Sequence, residues 1–210
     1  MSKKVSIMQP YLFPYLGYYN LASASDIFVF YDDVNYIKRG WINRNNILVN
    51  GQANKFSVPL SEVSQNKLIK DTNIQNYDEF KEGFLKKIYL SYKKSKNFDF
   101  GYHYVENVLS SDFSSISDLA STSVISLFEI LDISKTFYFS SKKFSDTKSL
   151  DRTGRLATIT KKLKSNRYIN SLGGQEIYSK DEFKSEGVIL EFCKPVTKQY
   201  KQHCSSKFLD

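Results

Sequence analysis

Short apolar runs alternate with amphipathic stretches along most of the chain. Helical patterns cover Tyr15 to Ala24 and Asp151 to Leu163, and the short runs between them are typical of strands covered on both faces. The predicted strands are Val5–Met8, Ile27–Tyr31, Thr136–Ser140, Arg167–Asn170 and Val188–Phe192. Strands separated by helices favour an α/β fold with a mainly parallel, Rossmann-like sheet flanked by helices and joined by right-handed crossovers.

Two segments interrupt this alternation. From Tyr36 to Leu60, apolar strands flank Asn50-Gly51, the dipeptide best suited to a type I′ turn, which predicts an inserted antiparallel hairpin. From about residue 77 to 131, apolar positions recur at three- and four-residue steps, which predicts a helical stretch. The helices expected there are Tyr77–Tyr92, Tyr102–Leu109 and Ile116–Leu131. With 210 residues and no linker rich in Pro or Gly, we expect a single α/β domain over residues 1–210.

Composition and charge narrow the class of protein only slightly. The net charge of +8 favours anionic partners, but the lysines are spread along helices, often beside acidic residues, as on an ordinary solvated surface. Because the basic residues form no recognisable nucleic-acid-binding module, specific binding of nucleic acid is not expected. The sixteen Phe and fifteen Tyr residues include a dense cluster near the N-terminus that calls for a local explanation.

Cysteine and histidine usage argues against a metal centre and covalent catalysis. Cys193 and Cys204 lack CxxC spacing, and His103 and His203 lie far apart, so no metal site is predicted. The chain also lacks a Gly-x-Ser-x-Gly nucleophile elbow. The apolar run after Met1 is too short for a signal peptide, and no window reaches the ~18 apolar residues of a membrane span. We therefore expect a soluble cytoplasmic protein.

The first candidate site is the aromatic loop after the first strand. Gln9, Tyr11, Tyr15 and Gly17 lie between a predicted strand and a predicted helix, where α/β sheets place their ligands. Gly17 in the first helical turn would let backbone amides approach an anion, which the helix dipole also favours. In the alternative interpretation, the tyrosines only cover the core.

A second candidate, Asp32-Asp33, ends the second strand and is expected at the same edge of the sheet. Adjacent side chains of an extended segment point to opposite faces, so one carboxylate would face the site and the other would cap a turn. An inward Asp could act as a general base or hold a sugar hydroxyl. A purely turn-forming pair is the alternative.

A third candidate precedes the hairpin. Lys38, Trp41, Arg44 and Asn45 combine cations, an indole ring and an amide, which suit a phosphate attached to a ring system. A plain surface hairpin is the alternative.

Gly173-Gly174, after the Arg167–Asn170 strand, predicts a further backbone-amide loop at the same sheet edge, or else an ordinary turn.

These residues resemble the signature of the WbqC-like family. That signature runs close to Gln-Pro-Tyr-x-x-Pro-Tyr-x-Gly-Tyr, then Asp-x-Phe-Val-x-x-Asp-Asp-Val, then Lys-x-x-Trp-x-Asn-Arg-Asn, which correspond here to residues 9–18, 26–34 and 38–45. A weaker match continues through Tyr92, then Tyr168-Ile169-Asn170 with Gly173-Gly174 and Tyr178, and then Tyr200-x-Gln202 and Phe208. The family pattern goes on after that Phe with an apolar helix, whereas this chain stops at Asp210, so we expect a short or trimmed end.

The resemblance implies a transferase that tailors surface-polysaccharide sugars by acyl or aminoacyl transfer to the amine of a nucleotide-linked amino sugar. Its partners would be the nucleotide-activated sugar and an acyl or aminoacyl donor; donor, sugar and any cofactor stay open. Direct attack by the amine needs a base, oxyanion donors and tight positioning, for which Asp32 or Asp33 and Tyr15 are the catalytic candidates. A non-catalytic nucleotide-sugar or polysaccharide-binding accessory protein is the alternative. A nucleotidyltransferase is less favoured, because the chain has no His-x-Gly-His sequence.

Overall fold

The computed structural model describes residues 2–195, 200 and 202. Seven strands and seven α-helices are formed by the described residues. In chain order they are β1 (Lys4–Met8), α1 (Leu16–Ala24), β2 (Ile27–Phe30), β3 (Arg44–Val49), β4 (Gln52–Ser57), α2 (Tyr77–Tyr92), α3 (Phe98–Leu109), α4 (Ile116–Ile130), β5 (Thr136–Phe139), α5 (Ser140–Lys143), α6 (Arg152–Lys162), β6 (Arg167–Ser171), α7 (Lys180–Ser185) and β7 (Ile189–Cys193).

The described residues group into two compact units. The first comprises residues 2–9, 15–33 and 134–195, and the second comprises residues 10–14 and 34–133 with 200 and 202. The first unit contains all the strands of the parallel sheet, and the second contains the hairpin and helices α2 to α4.

The sheet of the first unit is entirely parallel and has the strand order β5-β2-β1-β6-β7. The chain therefore moves outward from β1 to β2 and β5, then returns to the other side of β1 for β6 and β7. This confirms the prediction of a parallel Rossmann-like α/β sheet flanked by helices.

Both faces of the sheet are covered, which explains the nearly continuous apolar strands. On one face, Val5, Ile7 and Val29 pack with Leu156 and Ile159 of α6. On the other face the contacts are largely aromatic, and Phe28 packs against Tyr18 of α1, Phe30 and Phe137. Burying large side chains on both faces removes several hundred Å² of apolar surface from water and is the main force that holds the sheet to its helices.

The predicted hairpin is confirmed in the second unit. Strands β3 and β4 pair from Arg44↔Ser57 to Val49↔Gln52. The turn residues Asn50 and Gly51 have φ angles of 51° and 76°. Two successive positive φ angles define the type I′ turn, and Asn followed by Gly adopts them with the least strain.

The core of the second unit is built from the predicted amphipathic helices. Phe84 and Ile88 of α2 and Leu119 of α4 belong to one buried cluster, together with Phe56 of the hairpin. Helix α4 begins at a capping serine, because the side chain of Ser115 accepts a hydrogen bond from the backbone N–H of Ser117.

The element boundaries differ from the sequence-based ones mainly in two places. Helix α3 begins at Phe98, four residues before the predicted start at Tyr102. Its first turn, Phe98-Asp99-Phe100-Gly101, alternates aromatic and other residues and contains a glycine, so the sequence shows no helical period there. Helix α5 follows β5 directly and was not predicted, since Ser140–Lys143 carries no apolar periodicity.

Candidate functional site

The switch point of the parallel sheet lies between β1 and β6, because the direction of the strand order reverses there. Backbone pairing of these two strands covers Lys4↔Arg167 and Val5↔Tyr168, and the Ser6 hydroxyl then donates to the carbonyl of Ile169 at 2.9 Å. In open α/β sheets, ligands bind outside the carboxyl ends of the strands at such a point. The loops that follow β1 and β6 are therefore the primary candidates for ligand contact.

The loop after β1 presents Gln9 and Tyr15. The hydroxyl of Tyr18 donates to the backbone carbonyl of Gln9 at 2.8 Å, which fixes the start of the loop against α1. Tyr15 occupies the N-cap position of α1, and its side chain is 51% exposed. A Cβ on Gly17 would lie 2.2 Å from Cε2 of Tyr15, so the missing side chain of Gly17 makes room for the Tyr15 ring. The exposed phenol is thus held over the first turn of α1.

The loop after β6 presents Gly173 and Gly174. A Cβ on Gly174 would lie 2.7 Å from Nδ2 of Asn170, whereas a Cβ on Gly173 would meet no atom within 4 Å. Asn170 is buried, and its Oδ1 accepts a hydrogen bond from the backbone N–H of Ser171. Gly174 therefore makes room for a side chain of the protein itself, and Gly173 is the position where the backbone lies open to solvent.

Asp32 and Asp33 follow β2 and are both buried, with 3% and 4% exposure. Oδ1 of Asp32 accepts from the backbone N–H of Ser141 at 2.9 Å, and its Oδ2 accepts from the Ser141 hydroxyl at 2.6 Å. Ser140 Oγ lies within hydrogen-bonding distance of Oδ1 of both aspartates and has one proton to donate. The pair thus joins the end of β2 to the first turn of α5, the helix that follows the neighbouring strand β5.

The two carboxylates differ in the charge of their partners. Nη2 of Arg155 on α6 lies 2.8 and 2.7 Å from the two carboxylate oxygens of Asp33. Nε of the same arginine donates to the hydroxyl of Thr147 at 3.1 Å, and Nζ of Lys148 lies 3.9 Å from Oδ2 of Asp33. The Asp32 carboxylate accepts hydrogen bonds from neutral groups of Ser140 and Ser141. Asp33 is therefore the ion-paired member, and Asp32 is the member held by neutral donors.

Tyr31 contacts the Arg155–Asp33 pair, and Tyr178 lies close enough to Tyr31 to influence its pKa. The guanidinium carbon of Arg155 lies 4.7 Å from the ring centroid of Tyr31, a cation–π contact. Burial raises the pKa of Tyr31, and the neighbouring Arg155 opposes that rise. Burial also raises the pKa of Tyr178, against the effect of Arg152. Because both phenols stay neutral well above neutral pH, each can donate a hydrogen bond.

The remaining predicted residues lie in the second unit. Tyr11 packs against its apolar core, and Lys38 and Trp41 are exposed. Nε of Arg44 donates to the carbonyl of Gly40 at 2.9 Å, which closes the turn before β3. The side chain of Asn45 donates to the carbonyls of Leu12 and Phe13 at 3.3 and 2.6 Å.

The structure thus separates the predicted residues by unit. Gln9, Tyr15, Gly17, Asp32, Asp33, Gly173 and Gly174 belong to the first unit, at the carboxyl ends of strands β1, β2 and β6. Tyr11, Lys38, Trp41, Arg44 and Asn45 belong to the second. A common site for the two groups stays a prediction.

Sequence reasoning missed Arg155, Ser140 and Ser141. Arg155 lies four residues before Ile159, on the buried stripe of α6. An arginine on an apolar stripe is a signal for a buried carboxylate partner, so this residue could have been found. The serines carry no such signal. Among residues 2–195, 200 and 202, no group of three His, Cys, Asp or Glu side chains is placed to hold a metal ion, and His203 and Cys204 lie outside the described residues.

A five-stranded parallel sheet with this strand order, flanked by helices, defines an α/β protein of the Rossmann-like class. The chain belongs to the WbqC-like protein family, whose model matches residues 9–210. The match begins at Gln9, the first residue of the aromatic loop, and the resemblance seen in the sequence is confirmed.

A curated relative covers a much shorter stretch. The chain is similar to "Uncharacterized protein Rv1507c" of Mycobacterium tuberculosis, with 41% identity over 58 residues, which are 28% of this chain and 25% of the relative. No solved structure shows significant similarity to the chain. No helix formed by the described residues is both long enough and apolar enough to span a membrane.

Proposed function

We propose that the chain is a transferase that tailors surface-polysaccharide sugars, moving an acyl or aminoacyl group onto the amine of a nucleotide-linked amino sugar. The observation that carries the proposal is the switch point between β1 and β6, where the loops containing Gln9 and Gly173 follow adjacent strands. Ligand sites of nucleotide-binding α/β proteins form at such a point. Family membership supports the same substrate class.

The proposed reaction needs one proton acceptor. The amine nitrogen attacks the acyl carbonyl carbon, a C–N bond forms, the bond to the leaving group breaks, and the amine proton passes to the enzyme. We assign the acceptor to Asp32 rather than Asp33. Both carboxylate oxygens of Asp33 are engaged by Nη2 of Arg155, whereas Oδ2 of Asp32 accepts from the hydroxyl of Ser141, a residue that is only half-buried.

Because Asp32 is buried, the proton would reach it through Ser141. The Ser141 hydroxyl is partly buried, and it donates to Oδ2 of Asp32 at 2.6 Å. A hydroxyl can accept a proton on one lone pair while it donates its own to a carboxylate. Asp33 and Arg155 would then hold the end of β2 in place, and the exposed phenol of Tyr15 would donate to the oxyanion.

The second unit is proposed to bind charged and planar parts of a ligand. Lys38 and Arg44 suit phosphate oxygens, and the rings of Trp41 or Tyr11 suit a base or a sugar. Trp41 is 44% exposed, so its ring is available for stacking. Asn45 uses its amide nitrogen on two carbonyls and is proposed to hold the aromatic loop.

Calorimetry with a panel of nucleotide-linked amino sugars, followed by product mass measurement with acyl donors, tests the proposal. We expect Lys38→Ala and Arg44→Ala to weaken binding, and Asp32→Asn to lower turnover by about 100-fold or more with binding retained. Asp132→Asn, at an exposed position outside the site, is the matched control for a carboxylate-to-amide change. Unchanged turnover in Asp32→Asn would show that Asp32 is not the base.

The burial of both carboxylates favours a second candidate, a nucleotide-sugar-binding accessory protein without catalytic activity. The side chain of Asp33 is fully buried, which is typical of a structural anchor. This alternative would be established if the protein binds a nucleotide sugar but forms no product with any of the acyl donors.

A further inference from the structure

The C-terminal half of α2 carries exposed apolar side chains among lysines. Residues 86–96 include Lys86, Lys87, Lys93, Lys94 and Lys96, and no Asp or Glu. In the part of the chain that the structure describes, none of these five lysines forms an ion pair. Lysines at a helix C-terminus are commonly explained by the helix dipole, but that effect does not explain apolar neighbours.

Leu90 lies on the side of α2 that faces away from the core. Phe84 and Ile88 form the buried stripe, and Leu90 follows Ile88 by two positions, about 200° around the helix. Leu90 is 59% exposed, and the preceding Tyr89 is 46% exposed. Contacts of the Tyr89 ring with Phe98 and Tyr102 at centroid distances of 5.6 and 6.1 Å hold it in place on the surface.

A depression of the second unit adjoins these residues. It is lined by Leu48, Asn50 and Gly51 of the hairpin and by Leu90, Ser91, Lys93 and Lys94 of α2 and its C-terminal end. The backbone N–H of Leu48 donates to the hydroxyl of Tyr92 at 2.6 Å, which ties the hairpin to α2. Two ammonium groups and two leucines thus line the same preformed surface.

We propose that this surface, formed by Tyr89, Leu90, Lys93, Lys94 and the tip of the hairpin, docks the protein on an anionic phospholipid bilayer. The lysines would lie among the headgroup phosphates, and Leu90 and Tyr89 would enter the boundary with the acyl chains. Charge complementarity favours this occupant, because Lys93 and Lys94 line the depression and residues 86–96 carry three further lysines and no acidic residue.

The apolar residues favour a bilayer over a soluble polyanion such as RNA. Single-stranded nucleic acid would use the basic groups and could stack on the exposed ring of Tyr89, but it would leave the exposed Leu90 without a role. An exposed aliphatic side chain at the centre of the patch contributes nothing to phosphate binding, but it gains free energy on entering hydrocarbon.

Co-sedimentation of the full chain with vesicles tests the proposal. We expect binding to vesicles of phosphatidylcholine with added phosphatidylglycerol, little binding to phosphatidylcholine alone, and weaker binding as salt rises. Because each lysine near an anionic bilayer strengthens binding about fivefold, Lys93→Glu/Lys94→Glu should weaken it by at least about tenfold.

Two further variants separate the possible causes. Lys180→Glu/Lys184→Glu makes the same change in net charge at exposed positions of α7 and should bind as the wild type does. Leu90→Ser keeps the charge and should weaken vesicle binding while leaving binding to polyuridylate unchanged. Melting temperatures report whether each variant is folded.

Three results would overturn the proposal: equal binding to neutral and anionic vesicles, wild-type binding by folded Lys93→Glu/Lys94→Glu, or wild-type binding by Leu90→Ser. If Leu90→Ser binds vesicles as the wild type does and polyuridylate competes with the vesicles for the protein, the surface is a site for polyanions instead. The experiment contains no nucleotide sugar, so its outcome is independent of the proposed function.

Discussion

Arg155 donates from Nη2 to both carboxylate oxygens of Asp33, a residue 122 positions earlier in the chain. The side chains of the two residues are 6% and 0% exposed, so the ion pair is shielded from water. It connects the end of β2 to α6, and Ser140 extends the connection to α5. The network determines the geometry of the carboxyl edge of the sheet on the side of β2 and β5.

Removing one partner of this pair leaves an uncompensated buried charge. We therefore expect Arg155→Met and Asp33→Asn each to lower the free energy of unfolding by about 3–5 kcal/mol. The double variant should lose clearly less than the sum of the two single losses, because it leaves neither charge unpaired. Urea denaturation of the four proteins measures the coupling. Additive losses would show that the pair does not act as a unit.

The sequence allowed much of the sheet to be predicted and little of this network. Apolar runs marked the parallel strands because burial on both faces demands them, and Asn50-Gly51 marked the hairpin because few dipeptides accept two positive φ angles. The opposing Asp33–Arg155 contact depends on how α6 crosses the sheet. Arg155 on the apolar stripe of α6 signals a buried carboxylate partner, but local patterns carry no information about the crossing, so the sequence could not identify Asp33 as that partner.

Gly17 and Tyr15 should behave as one functional element. A Cβ at position 17 would displace the Tyr15 ring, since the two would lie 2.2 Å apart. We expect Gly17→Ala to lower turnover as much as Tyr15→Ala does, while thermal stability is kept or raised by the better helix former. The double variant should turn over no more slowly than either single one, measured by product mass. Wild-type turnover by Gly17→Ala would contradict this coupling.

The hairpin turn depends on Gly51. Its φ of 76° lies in the left-handed region, where a residue with a Cβ costs about 1–2 kcal/mol. Gly51→Ala should destabilise the protein by that amount in thermal unfolding. Gly173→Ala is the matched control, because a Cβ there meets no atom within 4 Å and we expect its stability to match the wild type. Equal stability of both variants would argue against a strained turn.

The ion pair between Glu191 of β7 and Arg167 of β6 gives a pH-dependent contribution to stability. The hydrogen bond from Nε of Arg167, at 2.7 Å, lowers the pKa of Glu191 below its ordinary value of 4.5. A carboxyl whose pKa falls on folding stabilises the protein above the ordinary pKa, and this contribution is lost as pH falls through the lowered one.

Glu191→Gln should therefore lower the melting temperature by about 1–2 °C at pH 7, and the difference should begin to shrink below the ordinary pKa of 4.5 and vanish once the pH is below the lowered pKa. In an Arg167→Gln background the same substitution should have no effect at either pH, which scanning calorimetry can measure. A difference that persists in acid would assign the effect to packing.

Two variants of Asn45 can show whether its side chain binds a ligand or supports the aromatic loop. Its Nδ2 donates to the carbonyls of Leu12 and Phe13, and Phe13 itself has a positive φ of 42°. Asn45→Ala should lose about 1–2 kcal/mol of stability, because two carbonyls lose their donor. Asn45→Asp should lose more, since its carboxylate would face the same carbonyls and repel them.

The order of the two variants identifies the role of Asn45. If Asn45 supports the loop, Asn45→Asp loses more stability than Asn45→Ala. Binding of a nucleotide sugar then also weakens more in Asn45→Asp than in Asn45→Ala. If it contacts the ligand instead, binding falls while stability is unchanged, because the protein itself would not need the amide. Melting curves and calorimetry on the same preparations decide between the two roles. The two carbonyl contacts within the second unit lead us to expect the first result.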